Sequence, residues 1–194
     1  RDSSTSRGLG DVYKRQAMDL DKEDKNRIGV IFASGIGGIK TFDEEVLGYA
    51  KIKDTIGPKF NPFFIPKMIS DIAAGHISML YGFHGPNFAT VSACASSTNA
   101  ISDAFNYIRL GKANVIITGG AEAAVSESGV GGFNSMNALS TRNDSPETAS
   151  RPFSASRDGF VMGEGAACLV LEEMEHALAR GAKISVSYTH LRAH

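Results

Sequence analysis

The sequence alternates short, wholly apolar runs with helical segments, and two of those runs end in glycine. Residues 28–32 read IGVIF and open into Ala33-Ser34-Gly35-Ile36-Gly37-Gly38. Residues 115–118 read VIIT and close on Gly119-Gly120, and residues 166–171 read AACLVL. A strand apolar on both faces must be covered on both faces, which is the situation of a mostly parallel sheet sandwiched between helices. Helical spacing lies between the runs. Residues 41–49 form a short helix. Pro66 suits a first helical position, and Met68, Ile69, Ile72, Ala73, Ile77 and Leu80 follow at helical spacing. Residues 95–110 place Ile101, Ala104, Phe105 and Ile108 on one face and stop at Gly111. Residues 172–180 form a last helix, capped by Gly181. Residues 88–92 (FATVS) read as a strand, residues 57–66 as an apolar loop, and residues 126–150 as a long loop of the kind that is functional or carries short helices. The class is α/β.

Composition bounds the function. The chain has 194 residues, 42% hydrophobic and 21% charged, which suits one domain or at most two and excludes general disorder. The net charge of −1 is a poor basis for gripping nucleic acid or an anionic membrane. Two cysteines exclude a disulfide scaffold and a four-cysteine zinc site. No apolar run approaches the roughly 20 residues that span a bilayer. Residues 1–16 and 185–194 are polar and aperiodic, and are expected to be non-native, adapter-derived segments flanking a folded part at 17–184.

Cys94 is the sharpest chemical signal. It stands in Thr90-Val91-Ser92-Ala93-Cys94-Ala95-Ser96-Ser97, between a strand and a helix. A helix N-terminus favours an anion, so a thiolate there is stabilised as a nucleophile. Small neighbours leave room for a bulky acyl group. The competing reading is a buried cysteine filling a core gap, which is the assignment for Cys168 in the apolar run AACLVL. The loop Gly35-Ile36-Gly37-Gly38 invites a dinucleotide reading and fails it, because the sixth position from Gly35 is Lys40. No Walker pattern occurs. His76, His84, His176, His190 and His194 lack a second ligand at metal spacing, and read as structural or solvated, His176 on an exposed helix. Residues 140–165, with Arg142, Asp144, Arg151, Arg157 and Asp158, read as a tight loop system held by Arg–Asp pairs.

Four segments together carry a resemblance: Thr90-Val91-Ser92-Ala93-Cys94, Gly119-Gly120-Ala121-Glu122-Ala123, Ala138-Leu139-Ser140-Thr141-Arg142-Asn143-Asp144, and Arg157-Asp158-Gly159-Phe160-Val161-Met162-Gly163-Glu164-Gly165. In order and spacing the chain resembles the beta-ketoacyl-[acyl-carrier-protein] synthases, and among them the synthase II group of bacterial fatty acid synthesis. The similarity covers residues 26–184. It implies the N-terminal half of a thiolase-like fold: a mostly parallel or mixed, five-stranded-type sheet with helices on both faces, here without its first strand. It implies that Cys94 accepts the acyl group, with its backbone N–H as one of two oxyanion-hole donors. Ile36 matches a residue at the floor of the acyl pocket, and Phe64 and Phe133 match positions near it. No cofactor and no metal are implied.

The implied reaction is a decarboxylative Claisen condensation between an acyl thioester on the cysteine and malonyl-[acyl-carrier-protein]. The implied partners are acyl carrier protein, bearing phosphopantetheine-linked acyl and malonyl groups, and a second copy of the chain paired through residues 88–92. The family's two catalytic histidines, its lysine and its second oxyanion donor belong to the other half, so this chain alone is expected to be inactive in condensation. A cytoplasmic enzyme is implied, with Lys59 and Lys67 as candidate contacts for an acidic carrier protein. Two alternatives remain: a chain-length-factor-like partner, which would lack the nucleophilic cysteine, and a ketosynthase domain of a polyketide synthase.

Overall fold

The computed structural model describes residues 18–187, so residues 1–17 and 188–194, including His190, His194 and most of the two flanking segments, lie outside the described residues. The chain divides into two compact units. The first comprises the described parts of Arg1–Gly35, Ser70–Ala121 and Ala166–His194; the second comprises Ile36–Ile69 and Glu122–Gly165.

A four-stranded sheet organises the first unit. Its strands are β1 (Ile28–Ala33), β2 (Asn87–Phe88), β3 (Val115–Glu122) and β4 (Gly165–Glu172), in the order β2-β1-β3-β4. β1 pairs in parallel with β2 and with β3, with Val30 opposite Asn87 and Ile117. At the other edge Glu173 donates to the Asn114 carbonyl, and Gly119 lies against Ala167 and Cys168, so β4 runs antiparallel to β3 and the sheet is mixed.

Alternation along the strands divides the core. Ile28, Val30, Phe32, Val115 and Ile117 face one side, with Ala74, Ile77 and Phe83 packed on them. Ile31, Ala33 and Ile116 face the other, against Ala100 and Ala104. Burying each large side chain contributes roughly 1.5–3 kcal/mol before entropy. Two helices supply the covering faces: α3 (Ile72–Tyr81) on the first side and α4 (Ser96–Arg109) on the second, with α1 (Ile39–Ala50), α2 (Phe64–Met68) and α5 (Glu127–Ser135) in the second unit and α6 (Met174–Ala179) in the first. Gly82, Gly111 and Gly181 end three of these helices with positive φ.

Several expectations need correction. The helix read from Pro66 onward is two helices: Pro66 is the third residue of α2, and Ile69 adopts an extended ψ of 141° that separates α2 from α3. The strand read at 88–92 shrinks to Asn87–Phe88, because Thr90 turns its hydroxyl to Asp103 Oδ2 at 3.0 Å and Ser92 enters a tight turn. β3 does not stop at Gly119-Gly120 but runs through both to Glu122. Part of the 126–150 loop is α5, started by Ser126, whose hydroxyl accepts the Gly129 N–H.

Candidate active site

Cys94 sits where the sequence places it, and it is exposed. The core-filling reading therefore fails for Cys94. Cys168 is half-buried against the core, and burial pushes its thiol above the ordinary range. Ala93–Ala95 form a single 3-10 turn that leads directly into α4. The Ala95 N–H donates to the Ser92 carbonyl at 3.1 Å, closing that turn over Ala93 and Cys94. Ala93 has a φ of 51°, the left-handed region that residues with a Cβ avoid. No side chain caps α4. Instead the Ser96 hydroxyl, the Ser92 backbone and Asn99 tie the turn to the helix: Ser92 N–H donates to Ser96 Oγ at 2.8 Å, Ser96 Oγ donates to the Ala93 carbonyl at 2.7 Å, and Asn99 Nδ2 donates to Ser92 Oγ at 2.6 Å. Gly120 of β3 comes so close that a Cβ there would lie 2.2 Å from Ser97 Oγ.

Ile36, Phe64 and Phe133 lie in the second unit. Ile36 is 44% exposed, and its N–H donates to Glu122 Oε2 at 3.0 Å. The next residues are fixed by a close approach: Gly37 has a φ of 80°, and the Gly38 N–H donates to the Met68 carbonyl, where any Cβ would collide with Lys67 O at 2.3 Å. Phe64 stacks on Phe60 with centroids 5.4 Å apart and lies 6.2 Å from Phe42. Phe133, on α5, meets Phe160 edge-on at 5.2 Å. Phe64 and Phe133 thus take part in different ring pairs of that unit. α1 and α5 are joined where Ser128 Oγ donates to Asp43 Oδ1; that bond holds the Asp43 carboxyl below the usual range.

The loop system around Asp158 differs from the expected Arg–Asp pairing. Asp158 Oδ1 accepts the Ser140 hydroxyl at 2.8 Å and Oδ2 the Thr141 N–H at 3.3 Å, and Arg142 adds only its charge nearby. Arg151 spans the Thr148 carbonyl and the Ser156 hydroxyl. Leu139 bridges Phe160 in parallel, and Gly159 admits no Cβ because Leu139 C would be 2.3 Å away. This explains the glycine of the Arg157-Asp158-Gly159-Phe160 segment.

Among the described histidines, His76 and His84 are exposed and His176 is not, against the expectation. Its Nδ1 is 2.6 Å from Glu172 Oε1 and its Nε2 3.0 Å from Glu23 Oε2. Arg180 adds a bidentate pair to Glu172, at 2.7 and 2.6 Å. Burial raises the Glu172 carboxyl, but the bonds from Arg180 and His176 outweigh it and hold it below the usual range. Glu172 ends β4 and Arg180 follows the last residue of α6, so the cluster forms around that short helix, with the three residues four apart in sequence. Among the described residues no group of three or more His, Cys, Asp or Glu could hold a metal ion, and no helix is long and apolar enough to cross a membrane.

A mixed sheet, a helix started by a cysteine turn and a glycine strand packed against that helix define a ketosynthase-type α/β half. The chain belongs to the beta-ketoacyl synthase family: the family described as "Beta-ketoacyl synthase, N-terminal domain" matches residues 13–177. It is 46% identical over 90% of its length to a 3-oxoacyl-[acyl-carrier-protein] synthase 2 of Staphylococcus aureus, of which it covers 42%, and 46% identical over 86% of its length to a mitochondrial 3-oxoacyl-[acyl-carrier-protein] synthase of Arabidopsis thaliana, of which it covers 36%. The chain thus spans about two-fifths of the length of these curated relatives. Among solved structures it resembles a beta-ketoacyl synthase from Burkholderia phymatum, with TM-score 0.68, 35% identity and coverage of 91% of this chain and 44% of that one. It also resembles a structure of a type II PKS acyl-carrier protein in complex with its ketosynthase bound to the hexaketide, with TM-score 0.78, 27% identity and coverage of 93% and 47%. The fold is that of the thiolase-like ketosynthases, with four strands among the described residues where a five-stranded-type sheet was expected.

Proposed function

We propose that this chain is the nucleophile-bearing half of a condensing enzyme that elongates fatty acyl chains. The observation that carries the reading is an exposed Cys94 on a strained turn at the head of a core helix, in a chain of the beta-ketoacyl synthase family. Cys94 Sγ attacks the carbonyl of an acyl-carrier thioester, and the carrier's phosphopantetheine thiol leaves. Malonyl-carrier protein then loses carbon dioxide, its carbanion attacks the new thioester, and Cys94 departs as thiolate. The Cys94 backbone N–H supplies one oxyanion donor. Ile36, Phe64 and Phe133 contribute to the acyl pocket, a reading supported by their apolar character and by the aromatic contacts that stiffen the latter two. The synthase domain is taken as residues 17–184, between flanking segments 1–16 and 185–194.

Acyl carrier protein is the proposed partner; a ketosynthase of the same fold is known in complex with one. A homodimer would form at the edge β2 occupies, along residues 88–92, and the resemblance to the family implies a cytoplasmic setting. This chain by itself is proposed not to condense, as the resemblance implies; among the described histidines His76 and His84 are exposed and His176 is bonded to Glu172 and Glu23. The polyketide reading has the TM-score of 0.78 in its favour, but the 46% identity to a 3-oxoacyl-[acyl-carrier-protein] synthase 2, against 27% to the polyketide ketosynthase structure, favours the fatty acyl reading. Labelling with cerulenin, which the family's nucleophile accepts, followed by peptide mapping, tests the site: the adduct is expected on Cys94, and an adduct on Cys168 in its place would refute the assignment.

A further inference from the structure

We propose that Ser96 is a positioning residue that holds Cys94 in its attacking geometry. This rests on the reading of Cys94 as the nucleophile. The turn that presents Cys94 puts Ala93 at its second position with a φ of 51°, a place that turn chemistry gives to glycine or asparagine. Among the described residues only Ala93 and Asn137 combine a side chain with positive φ. A strained residue persists only where its surroundings over-determine it.

Ser96 is what over-determines Ala93. Its side chain is buried, at 4% exposure, while Cys94 two residues earlier is exposed. A hydroxyl has one donor and two acceptor sites, and Ser96 uses both functions on one turn. It accepts the Ser92 N–H at 2.8 Å and donates to the Ala93 carbonyl at 2.7 Å, so it grips the backbone on both sides of the strained residue. The Ser96 N–H bonds the same Ala93 carbonyl. A serine serving only its own helix would donate to the carbonyl four residues back within that helix, as Ser102 does to Thr98. Ser96 instead reaches backward, out of α4 and around the nucleophile. Asn99, on the next turn, holds Ser92 from the side at 2.6 Å. Without the Ser96 hydroxyl, the half-buried Ser92 N–H loses its acceptor, Ala93 relaxes toward negative φ, and the sulfur at 94 leaves its fixed position.

The test separates position from mere accessibility. In the 194-residue chain, Ser96→Ala and Ser96→Thr are compared with the parent sequence in two reactions. One is acyl transfer from a small acyl thioester: the Cys94 Sγ–acyl bond forms, the probe's C–S bond breaks, and the probe's thiol leaves with the proton of Cys94. The other is alkylation by iodoacetamide, which needs an exposed sulfur but little orientation. Ser96→Ala is expected to lower acyl transfer about tenfold, since small misplacements of a reacting atom cost one to two orders of magnitude. Alkylation of Cys94 changes less than about twofold, and Ser96→Thr, which keeps the hydroxyl, restores transfer. Equal transfer in Ser96→Ala and the parent overturns the proposal and leaves the nucleophile reading standing. A parallel loss of both reactions, with faster alkylation of Cys168, shows a general loosening and also overturns it. Absence of acyl transfer to Cys94 in the parent chain overturns both readings together.

Discussion

Replacing Gly119 by alanine would damage this fold more than replacing its neighbour Gly120. Gly119 has a φ of 144°, which costs a residue with a Cβ about 1–3 kcal/mol. Its added Cβ would lie 2.2 Å from the Ala167 carbonyl oxygen and 2.9 Å from Cys168 Cα, both backbone atoms of β4 that no rotamer change can move aside. Forcing atoms into a packed interior adds about 1–3 kcal/mol. The sum is about 2–6 kcal/mol, a large part of the roughly 5–15 kcal/mol that a domain has in total. At Gly120 the nearest atom, Ser97 Oγ at 2.2 Å, can rotate away, leaving the Ala33 carbonyl oxygen at 2.9 Å. That site should cost about 1–2 kcal/mol. Urea unfolding of the two variants, at a slope of about 2 kcal/mol per molar, would place the Gly119→Ala midpoint about 2 M below the parent's and that of Gly120→Ala less than 1 M below. A Gly119→Ala midpoint within about 0.25 M of the parent, or a reversed order, would refute the reasoning from close approach.

Other consequences follow from the same geometry. Gly131 and Gly132 lie inside α5 with nothing within 4 Å of an added Cβ, so either changed to alanine should add about 0.5–1 kcal/mol and raise the urea midpoint by about 0.25–0.5 M. The Glu172 carboxyl is depressed in the folded chain, so the stability it contributes is present above its unfolded value of about 4.3 and is lost as pH falls through its lower folded value. A pH series of urea midpoints should fall more steeply below about pH 4.3 in the parent than in Glu172→Gln; equal slopes would show that the Arg180 and His176 bonds carry no such linkage.

Much of this was legible because burial on both faces leaves a plain signature. The runs IGVIF and VIIT became β1 and the start of β3, and small residues between a strand and an apolar-faced helix marked the Cys94 turn. The failures have local causes. Gly119-Gly120 reads as a strand ending, since glycine is a poor strand former, yet both are strand residues thinned for neighbours that come from β4 and α4. The glycine content of α5 hid a helix whose start is fixed by Ser126 and whose docking is fixed by Asp43 on α1, contacts distant in sequence. The turn at Ala93 was invisible for the opposite reason: alanine gives no hint of positive φ, and only the Ser96 and Asn99 hydrogen bonds reveal it.

The central claim, that Cys94 accepts the acyl group, is tested most directly by incubating the chain with acyl- and malonyl-carrier proteins and mapping the product by peptide mass spectrometry. The account predicts one acyl group, bound as a thioester on Cys94, with no ketoacyl product. Acylation of Cys168, or an unmodified Cys94 in a folded chain, would contradict it.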